Sequence, residues 1–459
     1  MIVRERGQYS RWLVWLNAGC FDPGTFLPAS KIHRSPNGST GGLYYGYVLI
    51  AAAFTAQFVS IGILSYVAGA FMEPMSAELG WSRGEYTIAR SLGQLVMGIA
   101  GFFIGVQVDR IGGRPLMLVG TAILSLALVA HYAIDALWHW IVLNGIVTTM
   151  GCALVGNLVV NVTLAKWFVE RRGQAVAWAA MGVSLGGIIL TPAVTVAIDN
   201  FGWRLAWVGL GIGTFVLMLP ISLLMRRAPE DHGLHPDGKT AAQMASNEGD
   251  KARLDYERSM TRAQAVRTGS FYALVAAFGF FSINIVVVLL HLVPMMTDAG
   301  FDRSQAALGM VMASIPAMLS KPIWGYYIDR IAVKPLAAVS ASMTGVSLAF
   351  IVIAIDAHSL LGTYAAFFVL GIAWGGMIPL QEVIWGSFFG RRFLGSVRSA
   401  ALPFALLLGA IAPYLVSVYR DASGEYSTAL LVVAALNVMS GFMIYLVRPP
   451  KPMLPAAPA

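Results

Sequence analysis

Long apolar runs separated by short charged loops extend through this chain from residue 44 to residue 447. Each run is about 20 residues or more, which as a helix rising 1.5 Å per residue crosses a hydrocarbon core of about 30 Å. The pattern predicts twelve spans. In the first half they cover roughly 44–71, 86–108, 115–134, 140–165, 174–198 and 205–225; in the second, roughly 269–296, 305–328, 335–355, 360–387, 397–419 and 428–447. Gly and Pro recur inside the runs, as membrane helices tolerate better than soluble ones. The predicted fold class is an all-α membrane protein, with twelve transmembrane helices in two six-helix pseudo-symmetric bundles. No cleavable signal peptide is evident before the first span.

The two halves repeat at an offset of 220 residues. Gly105-Val-Gln-Val-Asp109-Arg110-Ile111-Gly-Gly-Arg114-Pro115-Leu116 returns as Gly325-Tyr-Tyr-Ile-Asp329-Arg330-Ile331-Ala-Val-Lys334-Pro335-Leu336. Gly80 and Arg83 return as Gly300 and Arg303, Gly151 and Gly156 as Gly371 and Gly376, and Arg171-Arg172 as Arg391-Arg392. Duplicated helix bundles of this kind build secondary transporters, with substrate held near the midplane between the halves.

Charge adds orientation. Hydrophobic residues make up 57% of the chain and charged residues 12%, about half the charged share of a soluble domain. Of 31 Lys and Arg, only Arg83, Arg204, Arg303 and Arg420 fall in one set of loops, and Arg90 and Lys321 lie within spans; the remaining 25 lie on the other side. By the positive-inside rule both termini are cytoplasmic, in the cytoplasmic (inner) membrane. The same asymmetry accounts for the net charge of +8 without a nucleic-acid partner. The expected divisions are an N-terminal segment (1–42), a first bundle (43–225), a linker (226–267), a second bundle (268–448) and a tail (449–459). The linker carries 15 charges and reads as a cytoplasmic tether that lets the halves rock, with a short helix after Asp250. In the N-terminal segment, Trp12, Leu13, Trp15 and Leu16 beside Arg11 suit either a membrane interface or a solvated tail.

The loop Gly105 to Arg114 demands a tight turn, which Gly112 permits. It also places Asp109 at a helix end, where the carboxylate can meet a neighbouring helix N-terminus. Arg110 and Arg114 stay at the interface. This loop resembles the G-x-x-x-D-R-x-G-x-R signature of the major facilitator superfamily, once per half; the second copy has Ala332 and Val333 for the inner glycines and Lys334 for Arg. The resemblance implies the major facilitator fold. It also implies that Gly105, Asp109, Arg110, Arg114, Asp329 and Arg330 latch the halves. Glu78-Leu79-Gly80-Trp81-Ser82-Arg83, Trp167-Phe168-x-x-Arg171-Arg172-Gly173-x-Ala175, Gly202-Trp203-Arg204 and Phe389-Gly390-Arg391-Arg392-x-x-Gly395 resemble the branch holding oxalate/formate antiporters and monocarboxylate porters. That branch implies a small organic anion as cargo.

Lys321 is the leading functional residue. It lies eight residues before Asp329, about 12 Å from the membrane edge, where an unpaired charge is costly. Lys321-Pro322-x-x-Gly325 resembles the porters' basic-Pro-x-x-Gly segment, which implies a substrate-carboxylate partner, with Lys in place of Arg. The alternative is a structural ion pair. Glu382, nine residues before Arg391, sits about 13 Å deep on the same count. The equal depths predict a Lys321–Glu382 pair in the empty carrier that protonation of Glu382 would release. The same pair could instead be static. The related porters place an acid at the position of Ala317.

The remaining candidates for substrate contact are Tyr66, Asn157, Asn161, Asn284, Gln381 and Arg398. Tyr66 is equally an interfacial aromatic, the amides are equally helix–helix bonds, and Arg398 reads first as an interfacial arginine; as a second anion contact Arg398 would suit a dicarboxylate. No metal-ligand spacing, hydrolase triad or nucleotide loop appears, so neither metal nor cofactor is expected and the chain does not read as an enzyme. The expected function is secondary active transport of a small organic mono- or dicarboxylate by alternating access, with a proton or a counter-anion, by a chain acting as a monomer in the bilayer. An exporter of a lipophilic or drug-like compound and a transporter-like membrane sensor are the rival readings.

Overall fold

The computed structural model describes residues 44–245 and 250–450; the expectations for the N-terminal segment and the tail beyond residue 450 fall outside them. The described chain is helical, with no strand among the described residues. The first span, α1, runs as Tyr45–Ile61, a π-helical stretch Gly62–Val67, and Ala68–Leu79. Next come α2 (Arg83–Ile111), α3 (Gly113–Ala130) and α4 (Leu137–Trp167). The stretch Arg172–Leu224 holds two helices, α5 before Gly202 and α6 after it, and the non-helical Gly202, with φ of 79°, turns the chain between them. The second half has α7 (Gly269–Asp298), α8 (Arg303–Ile328), α9 (Val333–Asp356), α10 (Leu360–Phe389), α11 (Leu394–Ser423) and α12 (Ser427–Leu446). Ten of the described helices are long and apolar enough to span a bilayer. Counting the helices on either side of Gly202 as two and adding α8, whose apolar character is diluted by Lys321, Pro316 and Pro322, gives the twelve that the sequence predicts.

Local chemistry sets the ends. Ser82 and Glu85 form a reciprocal capping box at the start of α2, and Asp302 with Gln305 repeats it at the start of α8, satisfying donors the first helical turn leaves open. Gly112, with φ of 82°, makes the α2–α3 turn, a backbone region that L side chains avoid. The repeated glycines mark close helix crossings. A Cβ on Gly151 would meet the backbone of Leu124 across α3 and α4, and one on Gly371 would meet Ala313 O across α8 and α10.

The halves approach most closely on the face that carries the α2–α3, α4–α5, α8–α9 and α10–α11 loops, here called the basic face. A Cβ on Gly105 of α2 would strike Gly395 O and Ser399 of α11; one on Gly325 of α8 would strike Gly173 O and Ala177 of α5. The linker lies on this face as short helices, among them Asp250–Glu257 and Arg262–Ala265. It does not hang free. Arg262 donates to Phe102 O and to Ser396 O, one carbonyl from each half, at 2.7 and 2.8 Å. The expected tether is thus a strap packed against both bundles, because Glu230, Asp237, Lys239, Asp255 and Arg262 find partners there instead of water.

Candidate functional site

Two layers of charge lie along the boundary between the halves. The first is at the basic face. Asp109, at the end of α2, accepts hydrogen bonds from Gly395 N and Ser396 N at the start of α11, at 3.3 and 2.7 Å. Asp329, at the end of α8, accepts from Gly173 N and Gln174 N at the start of α5, at 2.6 and 3.0 Å. Each repeated aspartate therefore caps a helix N-terminus of the opposite half, where the dipole favours an anion. Lys166 pairs with Asp109 at 2.9 Å. Arg391 pairs with Glu230 at 2.6 Å and Arg172 with Asp255 at 2.8 Å, so the strap supplies acids to both bundles. Among them lies a cavity of about 530 Å³ bordered by Asp109, Lys166, Glu230, Arg262 and Arg391. The arginines of the repeated loops play a different part. Arg330 stacks over its neighbour Tyr326 at 3.6 Å, Arg114 is exposed, and the backbone carbonyl of Arg110 accepts from Arg227.

The second layer is inside the membrane. Lys321 is 4% exposed, and its Nζ donates to Ser184 Oγ of α5 at 2.5 Å, across the boundary between the halves. Among the described residues no acid lies within ion-pair distance of it. Glu382 does not pair with Lys321. Its Oε1 accepts from Arg398 of α11, Nη2 at 3.3 Å and Nε at 3.4 Å, with both side chains buried. The expected Lys321–Glu382 pair is absent because equal depth is not equal direction. Lys321 points from α8 toward α5, whereas Glu382 points from α10 toward α11. Arg398 lies in the second turn of α11 and is buried within the bundle.

The amides divide. Asn161 Oδ1 accepts from Gln57 Nε2 at 3.0 Å, joining α4 to α1. Asn284 Oδ1 accepts from Trp374 Nε1 at 3.0 Å, joining α7 to α10. Both are thereby helix–helix bonds within one half. Gln381 is buried beside Glu382. Tyr66, in the π-helical stretch of α1, is 37% exposed and rests against Gly187 of α5. Asn157 opens a helical segment that restarts after a break at Gly156 (φ −84°, ψ −166°). The break leaves a helix N-terminus about 15 Å, ten residues, from the basic end of α4 at Trp167, a type of site that meets anionic groups in transporters with broken helices. Ser184, Glu230, Asp255 and Arg262 were not singled out by sequence reasoning. A lone serine in a span and acids in a charged linker carry no periodicity or motif that sets them apart.

The family model of the Major Facilitator Superfamily matches residues 53–290 and 272–459. Human monocarboxylate transporter 11 is 27% identical over 440 residues, covering 92% of this chain and 86% of the relative. The oxalate:formate antiporter of Oxalobacter formigenes is 24% identical over 404 residues, covering 84% and 89%. Among solved structures, the proton:xylose symporter XylE superposes with a TM-score of 0.69 at 13% identity, covering 88% of this chain and 96% of that one. The E. coli fucose:proton symporter FucP superposes at 0.64 and 14%, covering 88% and 100%.

Proposed function

Because this chain belongs to the major facilitator superfamily of membrane transporters, we propose that it carries a small organic anion, a mono- or dicarboxylate, by alternating access, with Lys321 as the group that reads the carboxylate. The observation that carries this reading is a lysine buried in mid-membrane whose hydrogen-bond partner is a neutral serine. A charge in that position costs several kcal/mol unless it is paired or hydrated, and a substrate carboxylate supplies the missing anion. The relatives named as monocarboxylate transporter and oxalate:formate antiporter support the same cargo class.

Arg398 is the second cation. In the empty carrier it is held by Glu382; protonation of Glu382 frees the guanidinium for an anion, coupling one proton to uptake. This keeps the proton-coupling role for Glu382 and changes the residue it releases. A dicarboxylate would engage Lys321 and Arg398 together. Uptake of labelled mono- and dicarboxylates into proteoliposomes under an imposed pH gradient tests the function. Accumulation of at least one of them is expected, and no uptake of any member of the panel overturns the reading.

The repeated aspartates, with Gly105 and Gly325 at the crossings, are proposed as the latch that holds the basic face, taken as cytoplasmic, closed. The role implied for Arg110, Arg114 and Arg330 shifts to the interface around the latch. Hydrogen bonds to a charged acceptor contribute about 1.5–3 kcal/mol each. In a double variant, Asp109→Asn with Asp329→Asn, amide exchange in the peptides containing Gly173–Gln174 and Gly395–Ser396 is expected to quicken about tenfold or more. Unchanged exchange measured by mass spectrometry would contradict the latch.

A further inference from the structure

We infer that the groove between α1 and α5 at the basic face is a binding site for one phospholipid, its acyl chain in the groove and its phosphate on Arg171. The groove encloses about 460 Å³ and is lined by Tyr47, Phe54, Phe168, Arg171, Gln174 and Trp178, among others. That volume is in the range of small-molecule sites, about 300–1,000 Å³. Tyr47 and Trp178 are 40% and 49% exposed, so the groove opens to the outside of the bundle, where hydrocarbon lies. Its lining on α1 runs from Tyr47 to Thr55. Eight residues of helix cover about 12 Å, close to the depth of one leaflet of a core of about 30 Å.

The groove is apolar along its length and cationic at the end toward the loops. Arg171 Nη1 donates to Tyr47 Oη at 3.0 Å, which aims the guanidinium across the mouth. The acids nearby are engaged. Asp237 accepts from the backbone N–H groups of Val169, Glu170 and Arg171 at 3.0, 3.0 and 3.2 Å, and Glu170 pairs with Lys239 at 2.6 Å. The residue at the same place in the second half, Arg391, is buried and paired with Glu230. Arg171 is thus the copy left facing outward, its guanidinium available to a phosphate, which an arginine fork binds well. Basic pockets beside membrane helices on this side recognise lipid headgroups in the same way. The lining contains none of Lys321, Ser184, Glu382 and Arg398, so the inference is independent of the transported cargo.

Native mass spectrometry of the full-length protein, equilibrated with equal amounts of phosphatidylglycerol and phosphatidylcholine in mixed micelles, tests it. The wild type is expected to retain phosphatidylglycerol several-fold over phosphatidylcholine. Arg171→Gln is expected to bring that ratio to about one. Arg171→Lys keeps part of the preference as a point charge, and Trp178→Ala lowers retention of both lipids. A ratio unchanged in Arg171→Gln overturns the inference. So does displacement of bound phosphatidylglycerol by soluble glycerol phosphate at equal concentration, which would assign the site to a free organophosphate. Should Arg171→Gln not purify as a monodisperse protein, the same ratio measured in Tyr47→Phe, which loses the bond that aims Arg171, decides: a fall supports the site and no change contradicts it.

Discussion

Lys321→Met is expected to lower uptake of the carboxylate by about two orders of magnitude or more while leaving the protein folded. The ammonium is 4% exposed and held by Ser184 Oγ, so a substrate carboxylate meets it largely out of water. Truncating one partner of a buried, hydrogen-bonded charge pair costs about 2–5 kcal/mol, and each 1.4 kcal/mol is tenfold. Methionine keeps the length and apolar stem of the side chain and relieves the cost of burying an unpaired charge, so the variant is expected to melt at or above the wild-type temperature. Loss of transport without loss of stability separates a substrate-reading lysine from a structural one, whose removal would leave a partner carboxylate stranded. Lys321→Arg is expected to keep partial activity, since the fork adds a second donor but needs more room. Proteoliposome uptake and a melting curve on the same preparations check both halves of the prediction.

Glu382→Gln is expected to abolish accumulation driven by a pH gradient while leaving exchange of substrate across the membrane intact. Glutamine is close in shape to the protonated acid, so Arg398 stays free to meet an anion at every pH. One proton per monocarboxylate anion makes the cycle electroneutral, and one pH unit, about 1.36 kcal/mol, then supports about tenfold accumulation. The wild type is expected to approach that ratio and the variant to stay near one. The sign follows from the pair: with a proton on Glu382, Arg398 is released and anion binding strengthens, whereas without it the Glu382–Arg398 bonds at 3.3 and 3.4 Å hold Arg398 and weaken binding. A variant that still concentrates substrate in response to the gradient contradicts the coupling. A collapse in expression would instead report the cost of breaking a buried pair, about 3–5 kcal/mol, and Arg398→Lys, which preserves the pair's charge, then carries the test through its pH profile of uptake.

The spans were legible because a membrane demands long apolar runs, and the pairing of halves because the 220-residue repeat sits in loops where a membrane does not force similarity. The contact of Asp109 with a helix N-terminus was legible too, since a carboxylate at a helix end seeks another helix's free N–H groups. What counting residues along a helix gives is height. It placed Lys321 and Glu382 at one level but not the direction in which each points, and direction assigned Lys321 to Ser184 and Glu382 to Arg398. Asn161 and Asn284 read as either substrate contacts or helix bonds, and the partners that decide between these, Gln57 and Trp374, lie 104 and 90 residues away. The strap escaped detection for a related reason. Fifteen charges in a short stretch have the composition of a solvated linker, and composition does not disclose that Glu230, Asp255 and Arg262 meet Arg391, Arg172 and the carbonyl of Phe102. The pattern also gave no sign of the helix break at Gly156, because glycine in a membrane span is as often a packing residue as a break.

Binding measured apart from transport tests the central claim most directly. Titration calorimetry of the purified protein with a small carboxylate taken up in the panel, and with the amide of the same acid, compares charge at constant shape. The account predicts that the wild type binds the carboxylate at least tenfold more tightly than the amide and that Lys321→Met binds the two alike. Equal preference for the carboxylate in both proteins would contradict it.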